Sequence, residues 1–385
     1  MVPNGWKLDT IEEISSVSSG GTPSRKNESY WNGNIPWVTT AEVQFKIIED
    51  TAEKITEEGL ANSSAKLFPV DTILIAMYGQ GKTRGQVAKL GIEASTNQAC
   101  AAIILKAGYH VDYYYQFLIS QYDNIREMAN SGGQENLSGG IVKSIKVPVP
   151  PLPEQKKIAQ ILSTWDRAIS TTEQLLANSQ QQKKALMQQL LTGKKRLLDN
   201  NGVRFSGEWK HGHLNDLGKV AKGKALSSKD LIDGDYPVIA GGKSSPYNHR
   251  DYTHENVITV SASGAYAGYV AYHPYKLWAS DCSVVMGKSN SNIGFIYQLM
   301  SHTQSKIYSL QSGGAQPHVY PKDLEVLRVS IPPIDEQQKI AAVLSTADQE
   351  ISALQQKLDA LKQEKKALMQ QLLTGKRRVK VVGAA

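Results

Sequence analysis

The sequence predicts a mixed α/β (α+β) chain: two globular domains separated by a pair of long antiparallel coiled-coil helices, with a pseudo-two-fold internal repeat. Three observations lead to this prediction. A proline-rich block followed by a helical stretch occurs twice in 385 residues. Strand-like runs and Gly- and Ser-rich loops precede each copy, and apolar residues recur at alternating steps of four and three along both helical stretches.

The repeated block reads PPLPEQ at 150–155 and PPIDEQ at 332–337, and each copy is followed by a helical run that closes on LLTGK. The first prolines, Pro150 and Pro332, are 182 positions apart, and so are the closing glycines, Gly193 and Gly375. The copies therefore align without a gap, as a tandem duplication would leave them. Such a repeat predicts two similar but unequal surfaces for a partner.

The repeat divides the chain into four segments: a first globular domain at 1–149, a first helical spacer at 150–197, a second globular domain at 198–331 and a second helical spacer at 332–379. The proline-rich segment 147–153 marks the edge of the first domain, because consecutive prolines continue neither a helix nor a sheet ladder. We therefore expect the first long helix to begin near Glu154.

Within the globular segments the pattern is that of strands and loops. Apolar runs predict strands at 73–77, 101–105, 257–260 and 282–286, and 113–119 predicts a short helix. Two cysteines, Cys100 and Cys282, occur one per half in similar contexts, which indicates a repeated buried strand position and no bridge between them.

The two long helices each carry an apolar stripe that predicts a coiled-coil seam. The seam comprises Ile158, Leu162, Trp165, Ile169, Leu176, Leu186 and Leu190 in the first helix and Ile340, Leu344, Ile351, Leu354, Leu358, Leu361, Leu368 and Leu372 in the second. The Thr-Gly that closes each helix, followed by Lys and Arg, is the expected C-terminal signal.

Linker length predicts the direction of the pairing. Each helix of roughly 38 residues is about 57 Å long, and a parallel pair would require the second domain to bridge that length. A domain of this size has a radius of gyration of only about 14 Å. We therefore expect an antiparallel pair with one globular domain at each end. The alternative is that each helix packs on its own domain or on a partner protein.

Composition limits the possible environments. The 43 basic and 36 acidic residues give a formal net charge of +7 and a pI near 9.0, which is compatible with a polyanionic partner. No apolar stretch is long enough to span a bilayer, and the first residues lack the pattern of a signal peptide. We expect a protein of the cytoplasm.

The loop at 78–87 invites comparison with a nucleotide-binding loop. A phosphate-binding P-loop needs glycine where this chain has Ala76, and a helix directly after Lys82 and Thr83. The counterpart at 262–270 keeps the later glycines and loses Lys82, Thr83 and Arg84. Shared glycines indicate a tight hairpin, and the residues that differ between the copies suit base reading, because Arg and Lys match guanine edges and Gln matches adenine.

On the same reasoning, polar residues of the flexible loops are candidates for contact with DNA. In the first domain they are Ser24, Arg25, Lys26, Gln80, Lys82, Thr83, Arg84, Gln86 and Gln134. In the second they are Lys243, Ser244, Asn248, His249, Arg250, Tyr266, Gln316 and His318.

Catalytic and metal-binding patterns are weak. His211-Gly212-His213 is half a metal site that no cysteine or acidic cluster completes, so an exposed linker is the better interpretation. Glu208-Trp209-Lys210 resembles the tail of a nuclease signature without upstream carboxylates. The chain has no Asn-Pro-Pro-Tyr type motif for base methylation and no Ser-His-Asp or Cys-His arrangement. We predict no catalytic residue and no metal ion on this chain.

The duplicated PPLPEQKKIA and PPIDEQQKIA blocks, the helices ending in LLTGK, and the opening GTPSR (21–25) with IPWVT (35–39) resemble the DNA-specificity subunit of type I restriction-modification systems. The resemblance covers nearly the whole chain. It implies that each globular segment is a target recognition domain that reads one half of a bipartite, asymmetric site in double-stranded DNA. It also implies that the helices set the gap between the half-sites.

The same resemblance implies partners. The helices would dock two methyltransferase subunits, to which restriction/translocase subunits are added, and S-adenosylmethionine, ATP and Mg²⁺ would bind to these partners. The second domain lacks a counterpart of Gly21-Thr22-Pro23, as expected if the halves read different sequences. Two alternatives remain: a specificity module of a related restriction or phage-defence system, and a coiled-coil scaffold that binds only proteins.

Overall fold

A computed structural model describes residues 2–79, 81–130, 136–245 and 247–381. The chain divides into two compact units. The first unit contains Met1–Thr171 and Lys357–Ala385, and the second contains Thr172–Gln356. Each unit therefore combines one globular segment with part of each long helix.

The first unit contains eleven described strands and five described short helices. The strands are β1 (Lys7–Thr10), β2 (Ser15–Ser19), β3 (Trp31–Val38), β4 (Ile47–Ile48), β5 (Glu53–Ile55), β6 (Leu67–Phe68), β7 (Ile73–Ala76), β8 (Val87–Leu90), β9 (Ala94–Thr96), β10 (Cys100–Leu105) and β11 (Lys146–Val149). The helices are α1 (Ile11–Ile14), α2 (Glu57–Ala61), α3 (Val111–Ser120), α4 (Tyr122–Asn130) and α5 (Gly139–Ser144).

These strands form three sheets: β2-β10-β7-β8-β4, β5-β3-β9-β6 and the pair β1-β11. The first long helix, α6, follows at Leu152–Leu190. The strand β11 corrects one expectation, since 147–149 is part of a ladder in which Pro148 lies opposite Leu8. A proline is tolerated there because a two-stranded ladder leaves one side of each strand unpaired. The helix begins at Leu152, two residues before the expected start.

The second unit contains eight described strands: β12 (Lys210–His213), β13 (Gly218–Lys222), β14 (Tyr236–Ile239), β15 (Asn248–His249), β16 (His254–Ser261), β17 (Val270–Ala279), β18 (Cys282–Gly287) and β19 (Arg328–Ile331). Its short helices are α7 (Leu214–Leu217), α8 (Ile293–His302), α9 (Gln304–Tyr308) and α10 (Pro321–Glu325), and the second long helix, α11, spans Ile334–Leu372. The sheets are β13-β18-β16-β17-β14-β15 and the pair β12-β19.

The repeat predicted from sequence is confirmed in the elements. The long helices have equal lengths and begin 182 positions apart. The order β2-β10-β7-β8 in the first unit corresponds to β13-β18-β16-β17 in the second. The first unit adds a four-stranded sheet that contains Trp31 and Trp37, and the described part of the second unit has no counterpart of it. The prediction that His211-Gly212-His213 is an exposed linker was wrong, because these residues lie in β12 and pair with β19.

The antiparallel direction of the helices is confirmed within each unit. In the first, Ile158 and Leu162 of α6 share a core with Leu372 of α11, and Lys365 Nζ lies 2.6 Å from Asp166 Oδ1. In the second unit, Leu190 shares a core with Ile340 and Leu344. All the residues predicted for the seam are buried or half-buried. The helix ends also pack into the domain cores, so both modes of packing contribute.

The Glu-Gln pair that occurs in both proline-rich blocks makes equivalent contacts in the two units. Glu154 accepts hydrogen bonds from the indole of Trp6, at 3.4 Å, and from the guanidinium of Arg378, with Nε at 2.8 Å. In the second unit Glu336 accepts from Trp209 Nε1 at 3.0 Å and, in a bidentate pair, from Arg196 at 2.6 and 2.7 Å. We call these two groups the Glu-Arg-Trp clasps.

The glutamine next to each clasp ties the helix start to the domain. Gln155 donates to the Pro150 carbonyl at 2.8 Å and accepts from the backbone N–H of His110, the residue before α3, at 2.8 Å. Gln337 does the same with Pro332, at 2.9 Å, and Asn292, at 3.0 Å. The motif therefore fixes how each long helix enters its domain.

A third duplicated contact links the two helices to the domain. Asp166 accepts hydrogen bonds from Lys365 of α11 at 2.6 Å and from Gln116 of α3 at 2.5 Å. The corresponding residues of the second unit are Asp348, Lys183 and Gln298. The ammonium groups of Lys365 and Lys183 are thus each neutralised by a carboxylate of the facing helix. No helix among the described residues is long and apolar enough to cross a membrane.

Candidate nucleic-acid interface

In the first unit, the candidate loops leave the five-stranded sheet at one edge. β2 ends at Ser19, which lies opposite Ala101, and β7 ends at Ala76, which lies opposite Cys100. The loops after β2 and after β7 therefore begin beside the loop that leads into β10. The sheet register brings together residues that are far apart in sequence.

Hydrogen bonds connect these three loops. The side chains of Thr22 and Gln98 are in contact, with their oxygens 2.5 Å apart, and the backbone N–H of Met77 donates to the carbonyl of Ala99 at 2.8 Å. Leu137 in turn donates its N–H to the carbonyl of Met77 at 3.0 Å. The loops form one connected surface at the sheet edge.

The loop at 20–27 is held by two tryptophans of β3. The indole of Trp37 donates to the carbonyl of Gly21 at 3.0 Å, and that of Trp31 donates to the carbonyl of Ser24 at 3.2 Å. The Arg25 guanidinium lies 3.7 Å from the centroid of Trp31 and makes a bidentate ion pair with Glu53. This pairing raises the pKa of Arg25. Ser24, Arg25 and Lys26 are exposed. The contacts with Trp31 and Glu53 fix the orientation of the Arg25 side chain.

The loop between β7 and β8 is the hairpin predicted from its glycines, since β7 pairs antiparallel with β8 and no helix follows. Gly79, Gly81 and Gly85 have positive φ, which favours glycine. The Tyr122 hydroxyl donates to the backbone carbonyl of Lys82 at 2.5 Å, and Arg126 of α4 donates to the same hydroxyl at 2.6 Å. The P-loop interpretation is excluded by this geometry.

Within the hairpin, Lys82 is exposed, and Thr83, Arg84 and Gln86 are half-buried. Gln80 and Gln134, which the sequence also nominates, lie outside the described residues. The exposed ammonium of Lys82 and the half-buried Arg84 are thus on a loop whose backbone is fixed by α4. A rigid loop loses less conformational entropy on binding than a free one.

The second unit repeats this edge with other side chains. β16 ends at Ser261, which lies opposite Cys282, and the loop 262–269 leads into β17. The backbone N–H of Gly264 donates to the carbonyl of Pro317 at 3.1 Å, and the Ser261 hydroxyl donates to the carbonyl of Gly241 at 2.5 Å. The segments around 241–243, 262–269 and 312–319 therefore meet at this edge.

Aromatic rings and cations alternate on the edge of the second unit. The Lys243 ammonium lies 5.3 Å from the ring centroid of Tyr266 and 5.4 Å from that of Tyr269. The ring of His318 stacks on Tyr320 at 6.1 Å, and Lys322 lies 5.7 Å from the same tyrosine. Tyr266 and Tyr320 are 45% and 46% exposed, which leaves faces of both rings accessible. We call these residues the aromatic-cationic patch.

The patch includes three of the residues predicted from sequence, Lys243, Tyr266 and His318, and the predicted Gln316 is exposed two residues before His318. Ser244, also nominated, is exposed next to Lys243. Sequence reasoning missed Tyr320 and Lys322, although the run His318-Val319-Tyr320-Pro321-Lys322 after a duplicated glycine loop was a usable signal. It also missed the tryptophans that hold the loop at 20–27.

The segment 248–250, also predicted from sequence to contact DNA, is not a flexible loop. Asn248 and His249 form the edge strand β15, and Arg250 is exposed and lies 3.3 Å from its neighbour Asp251. His249 is 3% exposed, accepts the backbone N–H of Ile232 at 3.0 Å and packs edge-on against Trp278. Burial and these contacts give His249 a structural role and argue against a contact with DNA.

The described residues contain no group of three or more His, Cys, Asp or Glu placed to hold a metal ion. Cys100 and Cys282 are buried and unbridged at the starts of two corresponding strands, as predicted. Burial raises the pKa of each thiol to about 12, so neither is a nucleophile near neutral pH. The sheet edges of the two units present hydrogen-bond donors, cations and ring faces. These are the groups that contact bases and phosphates.

The chain matches known proteins along nearly all of its length. The family described as "Type I restriction modification DNA specificity domain" matches residues 3–178 and 206–363. The type I restriction enzyme MjaIX specificity subunit of Methanocaldococcus jannaschii is 26% identical over 98% of this chain and 95% of its own length. The EcoR124I/EcoR124II specificity subunit of Escherichia coli is 32% identical over 42% of this chain and 40% of its own.

Among solved structures, the S subunit of a type I restriction-modification system from M. genitalium has the same fold. It superposes with a TM-score of 0.70 at 17% identity, covering 97% of this chain and 98% of its own. The two family matches each span a globular segment and part of a long helix, as the duplicated sequence does. With its two copies of this domain, the chain belongs to the type I restriction-modification DNA specificity family.

Proposed function

We propose that this chain is the DNA-specificity subunit of a type I restriction-modification complex, and that each unit reads one half of a bipartite, asymmetric site in double-stranded DNA. The observation that carries the proposal is the duplicated family domain whose two copies share a sheet order but carry different side chains at the same sheet edge. A shared scaffold gives equivalent docking, and different loops give different half-sites.

Direct reading and positioning are divided among the loops in this proposal. Arg84 and Gln86 are suited to guanine and adenine edges in the major groove, and Lys82 to phosphate. In the second unit Lys243 and Lys322 are suited to phosphate, and Tyr266, Gln316 and His318 to bases. The two long helices set the distance between the half-sites and dock two methyltransferase subunits, which in turn associate with restriction/translocase subunits.

The chain itself carries no chemistry in this proposal. S-adenosylmethionine, ATP and Mg²⁺ serve the methyltransferase and restriction subunits, and the complex acts on DNA in the cytoplasm. Two observations support this part of the proposal. The loops present hydrogen-bond donors and ring faces, which suit binding, and both cysteine thiols are buried, which does not suit a nucleophile. A specificity subunit needs only to position its partners on one sequence.

The experiment is reconstitution of the complex with its neighbour-encoded partner subunits, followed by methylation of a randomised DNA library. We expect methylated adenines only within a split motif that has a fixed unspecific gap. Exchange of the loop at 77–86 for that of another family member should change one half of the motif and leave the other half unchanged. A scaffold that binds only proteins would leave the methylation pattern unchanged in the presence or absence of this chain.

A further inference from the structure

The second unit contains an open cleft that shares no lining residue with the aromatic-cationic patch. Its volume is about 790 Å³, and it is lined by the two residues that follow α6 and by β12, β19, α8 and α9. This volume is in the range of sites that hold nucleotide-sized ligands. The cleft adjoins a smaller one, of about 470 Å³, beside the Glu-Arg-Trp clasp of this unit.

Five side chains that are or can become cationic line the cleft: His211, His213, His302, Lys306 and Arg328. The rest of the lining consists of Thr and Ser residues, Gly212 and the apolar Leu191, Leu299 and Val329, and no described residue that lines the cleft is acidic. Ser330 contacts the ring of His211 at 3.4 Å. Such a lining of cations and hydroxyls is suited to a phosphate group.

The charges around the cleft can be assigned element by element. On β12, Lys210 flanks the two histidines, and the backbone N–H of His213 donates to the carboxylate of Asp216 on α7 at 2.8 Å. In the adjoining cleft, Arg196 is paired with the buried Glu336, and Glu208 is the one acidic residue among the described residues that line it. The pKa of His302 is lowered by burial and by the charge of Lys306, and a bound anion would reverse this effect.

The first unit shows that the fold does not require these cations. Thr10 lies opposite Lys146 in the β1-β11 pair, as His213 lies opposite Arg328 in the β12-β19 pair. By the same register Leu8 corresponds to His211. The 182-residue offset of α3 and α8 matches Ser120 to His302. The corresponding offset of α4 and α9 matches Asn124 to Lys306. Of these five positions in the first unit, only Lys146 carries a charge.

We propose that this cleft binds a phosphate-bearing ligand through His302, Lys306 and Arg328, with His211 and His213 lining its β12 side. The proposal goes beyond sequence reading, since none of the residues that line the cleft is among those assigned to DNA contact. The phosphate could be carried by a free nucleotide or by a nucleic-acid backbone. A nucleotide presents a terminal phosphate monoester and a nucleic-acid backbone presents a phosphodiester, and both offer anionic oxygens to the cleft.

The test uses the full-length chain and calorimetric titration with inorganic pyrophosphate at about pH 8 and about pH 6, which bracket the usual histidine pKa. Pyrophosphate loses negative charge over this range whichever variant it binds, so the informative quantity is the difference between variants: on going to the lower pH, we expect the affinity of the wild type to rise relative to that of His302→Gln. The double variant Lys306→Gln with Arg328→Gln should weaken binding by about tenfold or more, because charge-assisted hydrogen bonds to phosphate are lost. The matched control is Lys146→Gln in the first unit, which should bind as the wild type does.

Two further measurements complete the test. His302→Gln, which removes one titrating group, should reduce the pH dependence even if the double variant folds poorly. Displacement of pyrophosphate by an unrelated duplex, lost at high salt, would identify a nucleic-acid backbone as the source, and displacement only by a mononucleotide would identify a free nucleotide. Equal binding by wild type and variants, or no binding at either pH, would overturn the proposal without affecting sequence reading by the loops.

Discussion

Arg378, near the end of the described chain, donates through Nε to the carboxylate of Glu154 at 2.8 Å. Its Nη1 donates to the carbonyl of Asn4, also at 2.8 Å. The segment that follows the second long helix is thereby tied to the first residues of the first unit. Arg196, which follows the first long helix, makes the same two contacts with Glu336 and Gly207 in the second unit. Each unit is closed by the end of one helix and the beginning of the other.

The two clasps differ in burial, and this predicts different costs. The side chains of Glu336 and Arg196 are 0% and 20% exposed, and those of Glu154 and Arg378 are 8% and 41% exposed. Arg196→Gln leaves a fully buried carboxylate with Trp209 as its donor, so we expect a loss of about 3 kcal/mol in the free energy of unfolding of the second unit. Arg378→Gln should cost about 1–2 kcal/mol, because its partner is nearer to water.

Denaturant unfolding followed by circular dichroism measures both effects as shifts of the unfolding transition. Substitution of the clasp tryptophans by Phe serves as a control for the ring's packing. Equal costs for the two arginine variants would show that burial of the carboxylate does not set the strength of the clasp.

Arg84→Ala is predicted to affect only the half-site read by the first unit. If Arg84 makes a bidentate contact with guanine, the loss is about 1–3 kcal/mol and discrimination at that base is relaxed. The measurement is binding of the assembled complex to DNA with single substitutions in each half-site. A uniform loss across all sequences, with a smaller salt dependence, would instead assign Arg84 to phosphate.

Tyr266→Ala is the corresponding prediction for the second unit. Its ring is 45% exposed and held beside Lys243, so we expect the variant to weaken the second half-site alone. The expected loss is about 1 kcal/mol or more if the ring contacts a base. Tyr266→Phe keeps the ring and should retain most of the affinity. Loss in the first half-site instead would contradict the division of reading between the units.

Insertion of one heptad into each long helix, at positions 182 residues apart, tests their role in spacing. Seven residues add about 10 Å of helix, which corresponds to up to about three base pairs of duplex. We expect a longer preferred gap with both half-sites unchanged, measured by methylation of a library with variable gaps. An unchanged gap would refute the idea that the helices set it.

His273 predicts the direction of a pH effect on stability. The ring is buried, its nitrogens contact the hydroxyls of Thr259 at 2.9 Å and Tyr275 at 3.0 Å, and burial lowers its pKa to about 4. The unfolded chain takes up this proton near pH 6.5. Between those values the unfolded state binds more protons, so stability falls as the pH is lowered from about 6.5 to about 4.

The variant His273→Asn should be less stable than the wild type at neutral pH because ring contacts are lost. It should also show a shallower loss on acidification, measured as the unfolding free energy across this pH range. A slope equal to that of the wild type would show that other groups cause the acid sensitivity.

The repeat made the architecture predictable. The 182-residue spacing, the apolar stripes and the closing Thr-Gly predicted two equal helices and their direction, because these features are local or depend on chain length. The clasps were not predictable, since they join Glu154 to Arg378 and Glu336 to Arg196 across long sequence separations. A lone Glu in a proline-rich block gives no indication of its distant partners.

The interface was predictable in part. Glycines that require positive φ marked the loops, and side chains that differ between the copies marked candidate readers such as Lys243 and His318. The remaining positions depend on strand register, which the sequence does not show. Register brings Tyr320 and Lys322 next to these loops and places His249 against Trp278 in the core. His249 was misjudged because a polar residue between Asn and Arg has the same sequence pattern in an exposed loop and in an edge strand with one buried face.

The central claim is that this chain selects the DNA sequence on which partner enzymes act. Modified-base sequencing of genomic DNA from cells with and without the gene tests it most directly. We predict that deletion abolishes adenine methylation in one split motif with a fixed gap and that re-expression restores it. Methylation that persists in every split motif after deletion, in cells whose partner methyltransferase is active, would contradict the claim.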